Sequence, residues 1–219
     1  MYSPPPHDCP KCPRLCDFRT RNRQNYPTFF NGPVPSFGSL DAEFLVVGLA
    51  PGLQGANATG RPFTGDYAGD ILYASLLKHG FATVSYASPR GAAISGLYKD
   101  NLTLVNCRIT NAVRCVPPEN KPEPSEIKNC SAFLTDEIAA MPNLKVILSL
   151  GLVSHNAVLK NFGIKISQIK FIHGSVNSLN SKMKLLDSYH CSRYNINTGR
   201  LTQAMFDEVM LKARQNFAA

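Results

Sequence analysis

The sequence predicts an α/β fold, a three-layer α/β/α sandwich with a central, mainly parallel four-stranded sheet. Two observations lead to this prediction: short apolar runs alternate with segments of helical periodicity, and turns rich in Gly and Pro separate them. Strands that alternate with helices favour a parallel sheet covered by helices on both faces. A chain of 219 residues with 44% hydrophobic residues has the size of one such domain, which we assign to residues 1–219.

Four short apolar runs are the predicted strands. The clearest is EFLVVG at residues 43–48, which is too short for a buried helix and ends in a loop that Pro51 and several glycines punctuate. The other three strands are predicted at residues 102–108, 144–149 and 183–187.

Four longer segments are the predicted helices. In residues 66–79 apolar side chains recur at helical spacing, and Gly80 follows where a C-cap is expected. Residues 124–141 begin with a Pro, which is tolerated in the first turn of a helix. The other two helices are predicted at residues 153–161 and around Phe206 near the C-terminus.

The ligand of a parallel sheet sits beyond the carboxyl ends of its strands. Three polar segments fall there in the predicted order, at residues 50–66, 111–115 and 189–200. The sequence therefore predicts a pocket that these three segments line together.

The chain is basic, with 23 Lys and Arg against 15 Asp and Glu and a formal net charge of +8. An excess of this size favours a polyanionic partner such as nucleic acid or an anionic membrane, although a basic protein without such a partner remains an alternative. No stretch has the apolar length of a membrane span or of a secretory signal. We expect no membrane partner and a cytoplasmic location.

Four of the seven cysteines have a spacing typical of metal ligands. Cys9 and Cys12 form a C-x2-C pair in the N-terminal segment, residues 1–25, and Cys115 and Cys130 supply a distant second pair. Four thiolates hold either zinc or a 4Fe–4S cluster, and spacing alone does not choose between them. Of the others, Cys107 is expected to be a buried apolar residue, and Cys191 has no activating base beside it.

Three regions of the chain carry distinctive motifs. They are GLAPG, GAN and TGRPFTGD within residues 48–66, ITNAVRCVPPENKP at residues 109–122, and HCSRYN and NTGRLT within residues 190–202. These motifs resemble those of family 5 (B-type) uracil-DNA glycosylases, which carry an iron–sulfur cluster. The similarity runs from Cys9 to the C-terminal helix, with Gln54 and Ala58 as two departures from the family pattern.

The resemblance implies that the chain removes uracil, and other deaminated bases, from DNA by hydrolysing the N-glycosidic bond after base flipping. No Lys stands in the GLAPG, TGRPFTGD and HCSRYN motifs as a Schiff-base nucleophile, so a monofunctional enzyme is expected. The resemblance also implies a 4Fe–4S cluster, rather than zinc, on Cys9, Cys12, Cys115 and Cys130. A monomer is expected for an enzyme that scans DNA.

The resemblance assigns catalysis to Asp66, His190 and Asn111. Asp66 is expected to orient water and offset the cationic sugar, because Leu49 occupies the position where related glycosylases carry a polar residue; its alternative role is that of a helix N-terminal carboxylate. His190 is the expected donor to the leaving base. Asn111 would read the base edge or satisfy loop backbone.

Four residues are expected to bind the base: Gly52, Leu53, Phe63 and Asn111. Phe63 would stack on the flipped base, although a purely structural Phe in the core is the alternative. The backbone N–H groups of Gly52 and Leu53 would face the base oxygens.

The HCSRYN segment is expected to contact the DNA backbone and the minor groove. Ser192, Arg193, Tyr194 and Asn195 are expected to approach the groove and fill the gap that the flipped base leaves. Residues 35–36 and 88–90 are further candidates for phosphate contacts.

Two other functions remain open at this stage. One is a catalytically inactive, metal-stapled DNA-binding protein of the same fold, supported by Gln54 and Ala58. The other is a nucleotide or sugar-phosphate hydrolase with GLAPG as its phosphate loop, against which stands the missing P-loop lysine.

Overall fold

The computed structural model describes residues 2–84 and 101–217. A six-stranded sheet forms the centre, in the order β1-β5-β2-β6-β8-β7, and β3 pairs with β4 in a separate ribbon. The strands are β1 (Phe37–Gly38), β2 (Phe44–Gly48), β3 (Ala82–Val84), β4 (Leu102–Leu104), β5 (Cys107–Asn111), β6 (Val146–Leu150), β7 (Val176–Ser178) and β8 (Lys184–Ser188).

Helices cover both faces of the sheet and close the loops at its edge. A 3-10 turn spans Pro118–Asn120. The helices are α1 (Pro13–Asn25), α2 (Ala56–Thr59), α3 (Tyr67–Lys78), α4 (Pro124–Ala139), α5 (Leu152–Asn161), α6 (Arg193–Asn197) and α7 (Gln203–Gln215).

The predicted α/β class is confirmed, but the prediction of four strands was wrong. The four inner strands β5, β2, β6 and β8 are parallel, as predicted. Two short strands, β1 and β7, add to the edges in antiparallel orientation. Strands of two and three residues are too short to show an alternating pattern in the sequence.

The predicted strand at residues 102–108 is two strands. Asn106 adopts a positive φ of 49° and breaks the extended backbone between β4 and β5. Its side chain accepts a hydrogen bond from the backbone N–H of Glu43 at 2.8 Å, which holds the turn beside the start of β2. As a result β5 continues to Asn111 and joins the central sheet, while β4 pairs with β3.

Three apolar clusters hold the layers together. Leu72 of α3 and Phe206 of α7 are fully buried against one face of the sheet, and Leu134 of α4 and Val158 of α5 are buried against the other. A third cluster joins Leu15 of α1 to residues around Cys115, so the N-terminal segment packs on the loop after β5.

The ends of the inner strands bring the predicted polar segments to one edge. Gly48, Asn111 and Ser188 are the last residues of β2, β5 and β8. Within the described ranges, no helix has the length and apolar character needed to cross a membrane.

Candidate active site

A cavity of about 580 Å³ opens at the carboxyl ends of the inner strands. The loop after β2, the start of α3, the end of β5 and the segment after β8 line it, as the order of the polar segments predicts. All six residues predicted to act on the base lie in its wall: Gly52, Leu53, Phe63, Asp66, Asn111 and His190.

Asp66 is the N-cap of α3, and its carboxylate also faces this cavity. One oxygen, Oδ1, accepts a hydrogen bond from the backbone N–H of Gly69 at 2.9 Å. The other, Oδ2, lies against Gly52 and Gly55, and a Cβ added to Gly55 would come within 2.7 Å of it. The two roles weighed for Asp66 are thus compatible, because each uses a different oxygen.

The surroundings of Asp66 make its ionised form costly. Although the residue is open to solvent through the cavity mouth, desolvation by the surrounding protein raises the pKa of Asp66 above its usual value. The nearby charge of Asp70 raises it further, and the backbone N–H groups of Ala68 and Gly69 oppose the shift. A carboxylate of raised pKa is a better proton acceptor.

Asn111 presents a buried oxygen that has no partner among the described residues. Its side chain is 3% exposed, and Oδ1 makes no hydrogen bond there. Gly48 makes room for it, since a Cβ at this position would lie 2.3 Å from Oδ1 and 2.6 Å from Cζ of Phe63. An unpaired buried acceptor costs about 1–3 kcal/mol, which a ligand N–H would recover.

Phe63 and His190 form an aromatic wall beside Asn111. Their ring centroids are 6.0 Å apart with an interplanar angle of 29°. Phe63 has a positive φ of 55°, a conformation that bulky residues seldom adopt outside special sites. Both roles considered for Phe63 fit the structure. Phe63 is 7% exposed, as a structural core residue would be, and it also lines the cavity, as a residue that stacks on the base would.

Desolvation lowers the pKa of His190 to about 4, so its imidazole is neutral near pH 7. A neutral imidazole carries one ring N–H, which suits it as a hydrogen-bond donor without charge. The side chain of Asn195 donates to the backbone oxygen of His190 at 2.8 Å and holds this segment in place.

The loop after β2 offers backbone donors. In the part of the chain that the structure describes, neither the Gly52 nor the Leu53 backbone N–H donates a hydrogen bond. Both residues line the cavity, as does Leu49. The loop therefore supplies two unpaired N–H groups and an apolar wall.

The HCSRYN segment forms the rim of the cavity. Ser192 is the N-cap of α6, and Arg193 lies over the ring of Tyr67 at 5.3 Å. Tyr194 is 72% exposed. Asn195 turns back to the protein, so its contact with DNA stays a prediction, as do those of the other three residues.

Of the two other segments predicted to contact phosphates, residues 35–36 and 88–90, the structure describes only the first. Ser36 forms hydrogen bonds with Thr110 and Arg114, and therefore has partners inside the protein. Residues 88–90 lie outside the described residues.

Two polar residues of the cavity wall were not predicted as site residues. Tyr67 falls in the predicted helix at residues 66–79 and Asn120 in the ITNAVRCVPPENKP motif, but neither was assigned a role. Glu119 and Asn120 have positive φ values of 54° and 57°, which turn the loop after Cys115 towards the cavity. The Pro117-Pro118 pair signals a turn, but local sequence does not show where such a turn points.

The four predicted metal ligands lie near one another, where α1 packs on the loop after β5. Cys9, Cys12, Cys115 and Cys130 are all buried, and three of them belong to one cluster with Leu15. Polar groups approach their sulfurs: Asn129 Nδ2 lies 3.6 Å from Cys12 Sγ and Arg19 Nη1 lies 3.8 Å from Cys115 Sγ.

Three thiols of this quartet are costly to ionise without a cation. Desolvation raises the pKa of Cys115 to about 12 and also raises the pKa values of Cys12 and Cys130. Among residues 2–84 and 101–217, no group of three or more His, Cys, Asp or Glu side chains is arranged so that it could hold a metal ion. Cys16 donates its thiol to the Cys9 carbonyl at 3.2 Å.

The other cysteines of the sequence analysis have structural roles. Cys107 and Cys191 are buried, with exposures of 1% and 0%. The Cys191 thiol donates to the Ala68 carbonyl at 3.3 Å, so its proton is held by a backbone acceptor.

Comparisons with known proteins agree with the motifs. The sequence model of the Uracil DNA glycosylase superfamily matches residues 35–214. A "Type-5 uracil-DNA glycosylase" of Thermus thermophilus is 39% identical over 213 residues, which cover 94% of this chain and 93% of the relative. Proteins with the same description from Mycobacterium leprae (38% identical; 94% of this chain and 90% of the relative) and Pyrobaculum aerophilum (36%; 94% and 88%) are also similar.

Proposed function

Since this chain belongs to the uracil-DNA glycosylase superfamily, we propose that its cavity excises uracil from DNA through Asp66, Asn111 and His190. The activity follows from the family, and the predicted resemblance is confirmed by the comparisons. The observation that carries the residue roles is the convergence of these three side chains, from three separate elements, on one cavity.

Recognition of the base rests on Asn111 and on the backbone of the loop after β2. Uracil has an N3–H between two carbonyl groups, and the unpaired Oδ1 of Asn111 is a matching acceptor. The Gly52 and Leu53 N–H groups are matching donors for the carbonyl oxygens. Cytosine lacks this N–H, so it would leave Oδ1 unpaired and bind more weakly.

Cleavage of the glycosidic bond leaves electrons on the base and positive charge on the sugar. His190, as a neutral donor, stabilises the anionic base at its carbonyl oxygen, and the Asp66 carboxylate faces the cationic sugar. Water then adds to the anomeric carbon and transfers its proton to the Asp66 carboxylate. Phe63 provides the flat wall against which the flipped base stacks.

The same contacts suit other deaminated bases. Hypoxanthine and xanthine also carry an N–H beside a carbonyl, which is the pattern that Asn111 and the loop backbone would read. Leu49 gives the cavity wall an apolar surface, at a position where a polar residue would restrict which base rings can bind. The range of substrates therefore extends from uracil to deaminated purines.

We further propose that Cys9, Cys12, Cys115 and Cys130 hold a structural 4Fe–4S cluster. Support comes from the donor set: four buried thiols approached by polar hydrogens. A zinc ion requires four ligand atoms within about 2.3 Å of one centre, whereas in a 4Fe–4S cluster each thiolate binds its own iron. The preference for the cluster over zinc rests on the family resemblance, because four thiolates fit both metals.

The cluster ties the N-terminal segment to the loop after β5 and has no part in the cleavage step. The protein should be brown when purified anaerobically, with broad absorbance near ~400 nm. A colourless protein with one zinc per chain would refute the cluster.

The surface around the cavity should bind both single-stranded and double-stranded DNA. Arg193 lines the cavity and is exposed, and Tyr194 next to it in the chain is 72% exposed, so a cation and an aromatic ring are available to contact phosphate and base. We propose that the enzyme acts as a monomer in the cytoplasm, where thiols stay reduced.

The activity is tested with a uracil-containing oligonucleotide, followed by alkali to cleave abasic sites. The expected result is cleavage at uracil, and slower cleavage at hypoxanthine, with none at cytosine. Binding without cleavage would favour the inactive DNA-binding alternative, which the similarity to glycosylases does not support.

A further inference from the structure

Arg19 is a buried cation that has no carboxylate within ion-pair distance among the described residues; Asp8, which pairs with Arg23, interacts with it only at longer range. The residue is 7% exposed and lies on α1, about two helical turns after Cys12. Within the described residues no carboxylate forms an ion pair with Arg19. Arg14 and Arg23 on the same helix do have such partners, in Glu126 at 2.8 Å and Asp8 at 2.7 Å.

The guanidinium of Arg19 points instead into the cysteine quartet. Nη1 lies 3.8 Å from Cys115 Sγ, and Nη2 donates to the Cys9 carbonyl at 3.1 Å. Nη2 also lies 3.6 Å from Cys16 Sγ. Its donors therefore connect two of the proposed ligand residues that are 106 positions apart in the sequence.

A buried guanidinium without an anion is strongly destabilising, because desolvation is not offset by attraction. Neutral thiols do not supply that attraction, but thiolates bound to a metal centre do. Four thiolates on a 4Fe–4S or zinc centre carry net negative charge after the metal is counted. The position of Arg19 is thus explained if the quartet is anionic in the folded protein.

We propose that Arg19 is the counter-charge and positioning residue of the cluster, which stabilises its more negative, reduced state and slows loss of iron. This rests on the proposed 4Fe–4S cluster. Hydrogen bonds to the sulfurs and net charge are the factors that set the reduction potential of such clusters. Arg19 supplies both, because its charge is permanent and its N–H groups point at sulfur.

Four variants separate charge from hydrogen bonding. Arg19→Met removes both, Arg19→Gln keeps N–H donors without charge, and Arg19→Lys keeps charge. Arg21→Met is the matched control: it removes the same charge from an exposed position of the same helix. Each full-length protein is purified anaerobically, and iron and sulfide per chain, the midpoint reduction potential and iron release to bathophenanthroline are measured.

The expected result is that Arg19→Met and Arg19→Gln disfavour reduction about tenfold, which is a midpoint about 59 mV lower for one electron. Iron release from these variants should be at least about tenfold faster. Arg19→Lys should stay near the parent potential, as should Arg21→Met. Because Arg19→Lys keeps a buried cation, it reports on the proposal even if Arg19→Met does not fold.

Three results would overturn the proposal. The first is an unchanged potential in Arg19→Met or Arg19→Gln with a full complement of iron. The second is a potential of Arg19→Lys as low as that of Arg19→Met. The third is a parent protein without metal, which would also refute the cluster proposal. Uracil excision is assayed on the same preparation, so that the proposed activity is tested independently of the cluster.

If the parent protein holds zinc, the cluster assignment fails and Arg19 is judged by the rate of zinc release to EDTA. A rate about tenfold faster in Arg19→Met than in Arg21→Met would support the counter-charge role. Equal rates would overturn it.

Discussion

Replacing Asp66 with Asn removes the carboxylate charge and keeps nearly everything else. Asn and Asp are equally good N-cap residues, so the bond that Oδ1 accepts from Gly69 N–H is retained. The size of the side chain is unchanged, which matters because Gly52 and Gly55 lie directly against Oδ2. The variant therefore isolates the effect of the charge on the reaction.

The two possible roles of Asp66 predict different magnitudes. A preorganised charge beside the developing cation contributes on the order of 10²–10³ in rate, or about 3–4 kcal/mol. The favourable interaction with the dipole of α3 is worth only about 0.3–1 kcal/mol of stability. Since the folded state raises the Asp66 pKa, it disfavours the ionised carboxylate, and a neutral Asn recovers part of this loss.

We therefore expect Asp66→Asn to change the free energy of unfolding by less than about 1 kcal/mol and to slow excision by at least about 100-fold. The rate is measured in single-turnover experiments on a uracil oligonucleotide, with enzyme in excess and DNA affinity measured in parallel. Asp70→Asn is the matched control, because Asp70 is also in the first turn of α3 and does not line the cavity.

A single-turnover rate of Asp66→Asn close to that of the parent would refute this assignment. Catalysis would then depend on His190 acting with a water held by backbone groups. A second test works in the opposite direction: Leu49→Asp adds a carboxylate to the cavity wall, and it should restore part of the rate in Asp66→Asn.

Four further predictions concern the base, pH, the cysteines and DNA. Asn111→Ala should cost about 1–3 kcal/mol of transition-state stabilisation for uracil, a fall in kcat/KM of about 5- to 150-fold, without loss of thermal stability, because the Oδ1 it removes is already unpaired. The pH profile of kcat/KM should show no step near pH 6.5, since the His190 pKa is lowered to about 4. Activity should instead fall at acid pH as Asp66, whose pKa is raised, takes up a proton. In Asp66→Asn, only this acid part of the pH profile should change. Cys9→Ser and Cys130→Ser should lower the iron content and folded yield before they alter the preference among bases, which is measured as relative kcat/KM. If either variant keeps its full iron content, the cysteine it replaces is not a ligand. Affinity for undamaged duplex should fall steeply between low and moderate salt, because a net charge of +8 favours phosphate contacts, and a salt-independent Kd would contradict this.

Local sequence patterns were sufficient for the inner fold and for most of the cavity. Each inner parallel strand is buried on both faces, so residues 43–48 and 144–149 appear as continuous apolar runs. Because such strands place their carboxyl ends at one edge, the segments after them were correctly expected to meet there. The same reasoning put Asp66, Asn111 and His190 in one cavity before any distance was known.

Other features depended on contacts between residues far apart in the chain. The edge strands β1 and β7 exist because they pair with β5 and β8, not because of any pattern of their own. The turn at Asn106 divides one apolar run into strands of two different sheets, and it is held by Glu43, which is 63 residues away.

The sequence by itself determined the order of the inner strands and of the main helices, the family and the chemical groups of the site, because periodicity and motifs are local properties. Only the tertiary structure decided that the Asn111 oxygen is unpaired, that Asn195 supports His190 and that Arg19 faces the cysteines rather than a carboxylate. These depend on burial and on which partner is within hydrogen-bonding distance. Both are set by packing between distant segments, where a change of about one ångström makes or removes a hydrogen bond.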